Sequence, residues 1–296
     1  MSQTKCLFAA AIALIFVSAA HSEPLLVDSF ESGDMSATNN HGFDWGRNNS
    51  TSVVTAEGVV YSNGERDVAI PSGRDWEPKH GEHSLRFRYA AGRNQTEQRF
   101  DLGSAYQSIW LKYWLRVPIN YTHNTSMPSN NKFFAIWMDG YSKHGDGSTV
   151  FWNLLSNQEG GSNIAVSYSD GGYTIVGGQM QSTPFIKVPE DRGRWMEIAI
   201  HVKASSPTET GNIELWRRWE NEANFKQFHS VEDARLKMPS QGPNGWSKGY
   251  IMGWANAPYK VDTEWLLDGF TLSTDPLLTA AKTANKPNPP TLTLSE

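Results

Sequence analysis

The stretch RWMEIAIHVKASSPTETGNIELWRRWE, residues 194–220, decides the fold. From Trp195 to Lys203 two kinds of residue alternate. Met196, Ile198, Ile200 and Val202 fall on one side, and Glu197, Ala199, His201 and Lys203 on the other. A period of two is that of a β-strand with one face buried. The alternation resumes at Asn212, with Ile213 and Leu215 set against Glu214 and Trp216. Between the two runs, residues 205–211 are rich in Ser, Pro, Thr and Gly, which turn a chain. The segment therefore predicts an antiparallel hairpin. Pairing Lys203 with Asn212 places His201 opposite Glu214, Ala199 opposite Trp216 and Glu197 opposite Arg218, about 5 Å apart. A slip of one residue would reverse both faces.

Working outward, period-two segments recur at 25–28, 52–54, 84–89, 97–101, 108–117, 132–138, 149–155, 165–169, 250–256 and 263–273. Gly, Asn, Pro and Ser separate them. No long segment has a helical period, although a short helix is expected at 231–236. Many strands without a βαβ rhythm predict an all-β protein, a two-sheet antiparallel β-sandwich over residues 23–275. No internal repeat is present.

The ends differ in character. Lys5 precedes an apolar run, Leu7 to Ala20, and small residues follow in Ala20-His21-Ser22. Residues 1–22 are expected to be a signal peptide, which makes the protein secreted, extracellular or periplasmic. Its Cys6 is the sole cysteine, so the remainder cannot form an internal disulfide. The net charge is -5, and loss of Lys5 alone takes it to -6 (-5 - 1). That balance argues against nucleic acid or an anionic membrane as partner. Residues 276–296 are rich in Ala, Thr and Pro and read as a disordered tail or linker. A monomer is expected. The 12 Trp, 10 Tyr and 13 Phe can supply platforms for sugars besides the core.

Several stretches carry a resemblance: VDSFESGDMS (27–36), HSLRFRY (83–89), EQRFDLG (97–103), IWLKYWLRVP (109–118), NNKFFAIW (130–137), RWMEIAIHVK (194–203), NIELWRRW (212–219) and TEWLLDGFTLST (263–274). Their order resembles the concanavalin A-like lectin/glucanase superfamily, and within it the secreted heparin-lyase-like and glucuronan-lyase-like polysaccharide lyases. The resemblance implies a jelly roll, an anionic polysaccharide as partner and a structural Ca²⁺ joining the first and last strands. Glu31 and Asp268 are its candidate ligands, with Asp28 and Asp34 nearby; the same acids also suit turns beside Gly33 and Gly269. Two family signatures are missing. Glu-x-Asp-x-x-Glu has its nearest string at Glu65-Arg66-Asp67, and no Gln-Ile-His strand occurs. Catalytic residues therefore do not transfer from either group.

Cutting a uronate polymer by β-elimination needs a group to neutralise the C6 carboxylate, a base for the C5 proton and an acid for the leaving oxygen. Arg suits the first role; His or Tyr suits the others. The catalytic candidates are His201 for proton transfer, Arg86 or Arg88 facing the uronate, and Tyr250. Candidates for substrate binding are Lys132, Glu197, Lys203, Glu214, Trp216 and Asn256, with Tyr141 and His144 on the loop YSKHGDG. Strict alternation puts Lys132 and Trp137 on opposite faces of their strand. Two other readings stay open: a non-catalytic carbohydrate-binding module, and a glycoside hydrolase using Glu197 and Glu214. A solvated strand face accounts for the same charges without any function.

Overall fold

The computed structural model describes residues 23–63, 75–157 and 159–278. The expected signal peptide and the tail from residue 279 lie outside them. The described residues form sixteen strands and no helix. They are β1 (Leu26–Asp28), β2 (Asn48–Asn49), β3 (Thr51–Val54), β4 (Val59–Asn63), β5 (Ser84–Tyr89), β6 (Glu97–Tyr106), β7 (Ser108–Arg116) and β8 (Asn130–Trp137). After them come β9 (Asp146–Ser156), β10 (Ser162–Gly171), β11 (Ile175–Met180), β12 (Trp195–Lys203), β13 (Gly211–Trp219), β14 (Lys226–Ala234), β15 (Trp246–Ile251) and β16 (Thr263–Ser273).

Two antiparallel sheets result. The nine-stranded sheet runs β14-β13-β12-β7-β16-β5-β3-β4, with β1 also on β16; the seven-stranded sheet runs β11-β10-β9-β8-β15-β6-β2. The protein is a two-sheet β-sandwich of the jelly-roll class. The β12–β13 hairpin has the expected register, with Lys203 on Asn212, His201 on Glu214, Ala199 on Trp216 and Glu197 on Arg218. The inward residues Met196, Ile198, Ile200, Val202, Ile213 and Leu215 are all fully buried.

The core lies between the sheets. Tyr113 and Phe270 of one sheet stand 6.4 and 5.9 Å from Phe134 and Phe100 of the other, respectively, measured between ring centroids. Burying each such ring contributes about 1.5–3 kcal/mol. The N-terminal segment is tied in by Asp28, whose carboxylate accepts the Trp45 indole N–H at 2.6 Å and the Phe30 amide at 2.8 Å.

Two local expectations change. Val231–Ala234 belongs to β14, not to a helix, because the edge of the nine-stranded sheet captures it through pairs such as Ile213–Val231. In β8 the pairing with β9 shifts between Lys132 and Phe134. This bulge sends both Phe133 and Phe134 into the core. Lys132, Ala135 and Trp137 consequently share the outer face, and the opposite-face placement of Lys132 and Trp137 is corrected.

The core also contains two buried histidines. Nδ1 of His229 accepts the Trp152 indole N–H at 3.2 Å, and Nδ1 of His123 lies 2.7 Å from Ser162 Oγ. Burial pushes both down to about 4. Their usual value is about 6.5. Between these limits the unfolded chain binds protons that the folded chain refuses, so stability falls with falling pH. The melting temperature is expected to drop from pH 6.5 to 4. His123→Gln and His229→Gln should flatten that slope; an unchanged slope in both would remove the histidines as its cause. Burial raises the carboxyls of Asp28 and Asp268, which act in the opposite sense.

Candidate active site

The sequence candidates divide between the two outer faces of the sandwich. On the nine-stranded sheet, His201 is held at both ring nitrogens. Nδ1 lies 2.8 Å from Glu214 Oε2 and Nε2 lies 2.9 Å from Ser108 Oγ. Trp110 stacks on its ring at 4.4 Å, and Trp216 stacks on Trp110 at 5.4 Å. Glu197 is 3% exposed. Arg218 Nε donates to its Oε2 at 2.6 Å and Lys112 Nζ approaches its Oε1 at 3.1 Å. Lys203 pairs with Glu209. Arg86 is 1% exposed, contacts Glu264 and Ser52, and lies over the Trp76 ring at 4.6 Å. Arg88 pairs with Asp262 at 3.0 Å.

These contacts correct the proposed grouping. β5 lies three strand spacings from β12, about 14 Å, so Arg86 and Arg88 do not reach a sugar held at His201. Glu197 and Glu214 are offset by four residues along the hairpin, about 13 Å. Two glycosidase carboxylates stand at most roughly 9.5 Å apart, so this pair does not have a hydrolase's geometry. Lys132, Tyr141 and Tyr250 belong to the opposite face altogether.

That opposite face, the outside of the seven-stranded sheet, is organised differently. Tyr250 on β15 pairs with Arg99 on one side and Ala135 on the other. The loop after β8 folds back so that Tyr141 packs on Trp137 at 5.1 Å and on Tyr250 at 5.4 Å. The two tyrosine hydroxyls are 3.2 Å apart. Lys132 Nζ stands 4.9 Å from the Tyr141 ring centre and 5.7 Å from that of Tyr250. Among the described residues it has no hydrogen-bond or ion-pair partner. Arg99 is held by Glu97 at 2.6 Å and lies over Trp137.

A cavity of about 230 Å³ opens here between Arg47, Glu97, Arg99, Lys132, Tyr141 and Trp254. Three cations face one carboxylate, a local excess of positive charge on an acidic chain. Tyr250 is fully buried beneath it, and burial, reinforced by Tyr141, holds its hydroxyl well above the usual tyrosine range. It stays protonated and can donate to Tyr141.

Asn256 does not line this cavity; its amide donates to Asn130 Oδ1 at 3.0 Å. The backbone carbonyl of Trp254 accepts the Lys132 amide, and a side chain at Gly253 would meet Lys132 Cβ at 3.1 Å. His144 stands exposed on the Tyr141 loop. Arg47 and Trp254 escape the sequence reading for different reasons. Arg47 lies outside every expected strand, whereas Trp254 lies inside the expected strand 250–256, which in the structure runs from Trp246 and ends at Ile251.

The acids proposed for calcium are engaged elsewhere. Glu31 accepts the amides of Glu82 and His83, and Asp268 Oδ2 accepts that of His80. Asp268 Oδ1 is buried without a partner. Even so, no group of three or more His, Cys, Asp or Glu among the described residues is placed to hold a metal ion.

The fold and this face together define a jelly-roll sandwich with a cationic, tyrosine-lined cleft. No family model matches the chain, and no curated protein does. Solved structures do resemble it. A PL-14 alginate lyase from Aplysia kurodai is 13% identical, with 67% of this chain and 85% of that one covered and a TM-score of 0.48. An alginate lyase from Chlorella virus is also 13% identical, covering 65% and 85%, with a TM-score of 0.44. The exoplasmic/lumenal domain of VIP36, bound to Ca²⁺ and Man2, is 12% identical, covering 68% and 80%, with a TM-score of 0.39. These are likenesses of fold.

Proposed function

We propose that the chain is a polysaccharide lyase that cleaves uronate-containing glycans by β-elimination on the outer face of the seven-stranded sheet. The observation that carries this is the Lys132 ammonium, without a hydrogen-bond or ion-pair partner among the described residues, beside the Tyr141–Tyr250 hydroxyl pair, with Arg47 and Arg99 in the same cleft. The cations neutralise the C6 carboxylate, which makes the C5 proton easier to remove. Tyr141 takes that proton on its oxygen, which the Tyr250 hydroxyl also hydrogen-bonds. The C4=C5 double bond forms as the C4–O bond breaks. Tyr141 then returns the proton to the leaving oxygen and ends as it began. No hydrolytic water and no metal enters the step.

The same reading places the protein outside the cytoplasm, where such polymers lie. Export with a mature N-terminus at Glu23 would support this. A structural calcium ion held by Glu31 and Asp268 is a separate proposal; a melting temperature lowered by chelation would support it.

The test is incubation with a panel of uronate polymers, followed by ultraviolet absorbance of the unsaturated product. Wild type and His201→Ala are both expected to release it, and Lys132→Ala is not. If binding occurs without product on every polymer, the non-catalytic carbohydrate-binding reading replaces this one. Loss of turnover in His201→Ala, with Lys132→Ala active, would move the site to the other face.

A further inference from the structure

The outer face of the seven-stranded sheet continues past the cavity, and the positive charge does not. From Trp137 the aromatic line runs through Tyr141 to Tyr173, with ring centroids 5.1 and 5.5 Å apart, towards the β10–β11 turn. Six spacings separate β2 from β11, about 29 Å, room for several sugar rings. All the cations of the cavity stand on the β2–β8 side. On the β9–β11 side, the pairing register brings Phe151, Asn153, Ser167, Ile175 and Met180 to the outer face. These three strands carry no cation, and their only charged residues are the strand-end acids Asp146 and Asp170. Lys143 lies beyond the strand ends, its backbone against the Gly172 turn. Tyr173, Ile175 and Met180 are 54%, 58% and 71% exposed.

Resting on the lyase reading, we propose that the substrate is a mixed glycan, with a uronate at Lys132 and uncharged sugars lying across β9–β11. A second carboxylate on that side would lose water and meet no counter-charge. An uncharged sugar instead lays its apolar face on Tyr173, Ile175 and Met180 and offers hydroxyls to Asn153 and Ser167. The strand faces thus select against a homopolymeric uronate while accepting one uronate at the cutting point.

Binding tests this separately from turnover. Full-length Tyr141→Phe is titrated calorimetrically with two oligosaccharides of equal length. One is a uronate homopolymer; the other alternates uronate with neutral sugars. The alternating one is expected to bind at least about tenfold more tightly, the equivalent of 1.4 kcal/mol. Ser167→Lys with Met180→Lys, both added to Tyr141→Phe, should shrink that ratio by strengthening homopolymer binding. Equal or tighter homopolymer binding overturns the mixed-glycan inference and leaves the lyase reading intact. Binding of neither overturns the inference together with the reading beneath it. A ratio unmoved by the lysine substitutions removes β10 and β11 as its source and overturns the inference.

Discussion

Tyr141→Phe is expected to lower lyase turnover by about 10²–10⁴-fold, the range for loss of a general acid–base group. The ring keeps its packing, since its contacts with Trp137, Tyr173 and Tyr250 are made by carbon atoms. The lost oxygen leaves the buried Tyr250 hydroxyl without its partner, at about 1–3 kcal/mol. Folding therefore survives while chemistry does not. Product absorbance measures the first quantity and thermal melting the second. A variant turning over within tenfold of wild type would exclude Tyr141 as the proton carrier. Tyr250→Phe is a useful contrast, because it keeps the Tyr141 oxygen and removes only its donor; its loss of turnover should be smaller.

The largest stability effect is expected on the other face. Glu197→Ala should destabilise the fold by about 3–5 kcal/mol, the loss typical of removing one member of a buried charge cluster. Glu197 is nearly fully buried and joins Arg218 of β13 to Lys112 of β7 across β12. Without it, two cations remain side by side near Trp114. Chemical denaturation would measure the loss, and turnover at a temperature well below the melting point should be unaltered. A cost under about 1 kcal/mol would show that the cluster behaves as an ordinary surface pair. Reduced turnover at full stability would restore Glu197 to a substrate role.

The hairpin at 194–220 was legible to the residue, because clean alternation and a short polar turn leave one register that buries all the aliphatics. Other features were hidden for identifiable reasons. Alternation separates inside from outside but does not say to which sheet a strand belongs. His201 and Tyr250 therefore looked like neighbours while lying on opposite outer faces. Arg86 and Arg88 resembled substrate ligands because their partners, Glu264 and Asp262, are supplied by sequence more than 170 positions later. β11 went unrecognised since its sequence, IVGGQM, has two glycines where a strand pattern needs side chains. The KQFHSVEDA segment of β14 mixes charge and apolar residues with no period, and only its neighbour β13 makes it a strand.

The irregular pairing between Lys132 and Phe134 has a consequence for how this protein can vary in length. Upstream and downstream of that point, β8 is in opposite phase. Deleting Phe133 or Phe134 would straighten the strand and force a choice. Either Lys132 turns into the aromatic core, or Ala135 and Trp137 do, and Ile136 is driven out to solvent. Neither arrangement keeps both the hydrophobic interior and the cleft. Descendants of this chain can gain or lose residues in the 139–145 loop and so reshape the cover over Lys132. In β8 itself they can change letters but not the count.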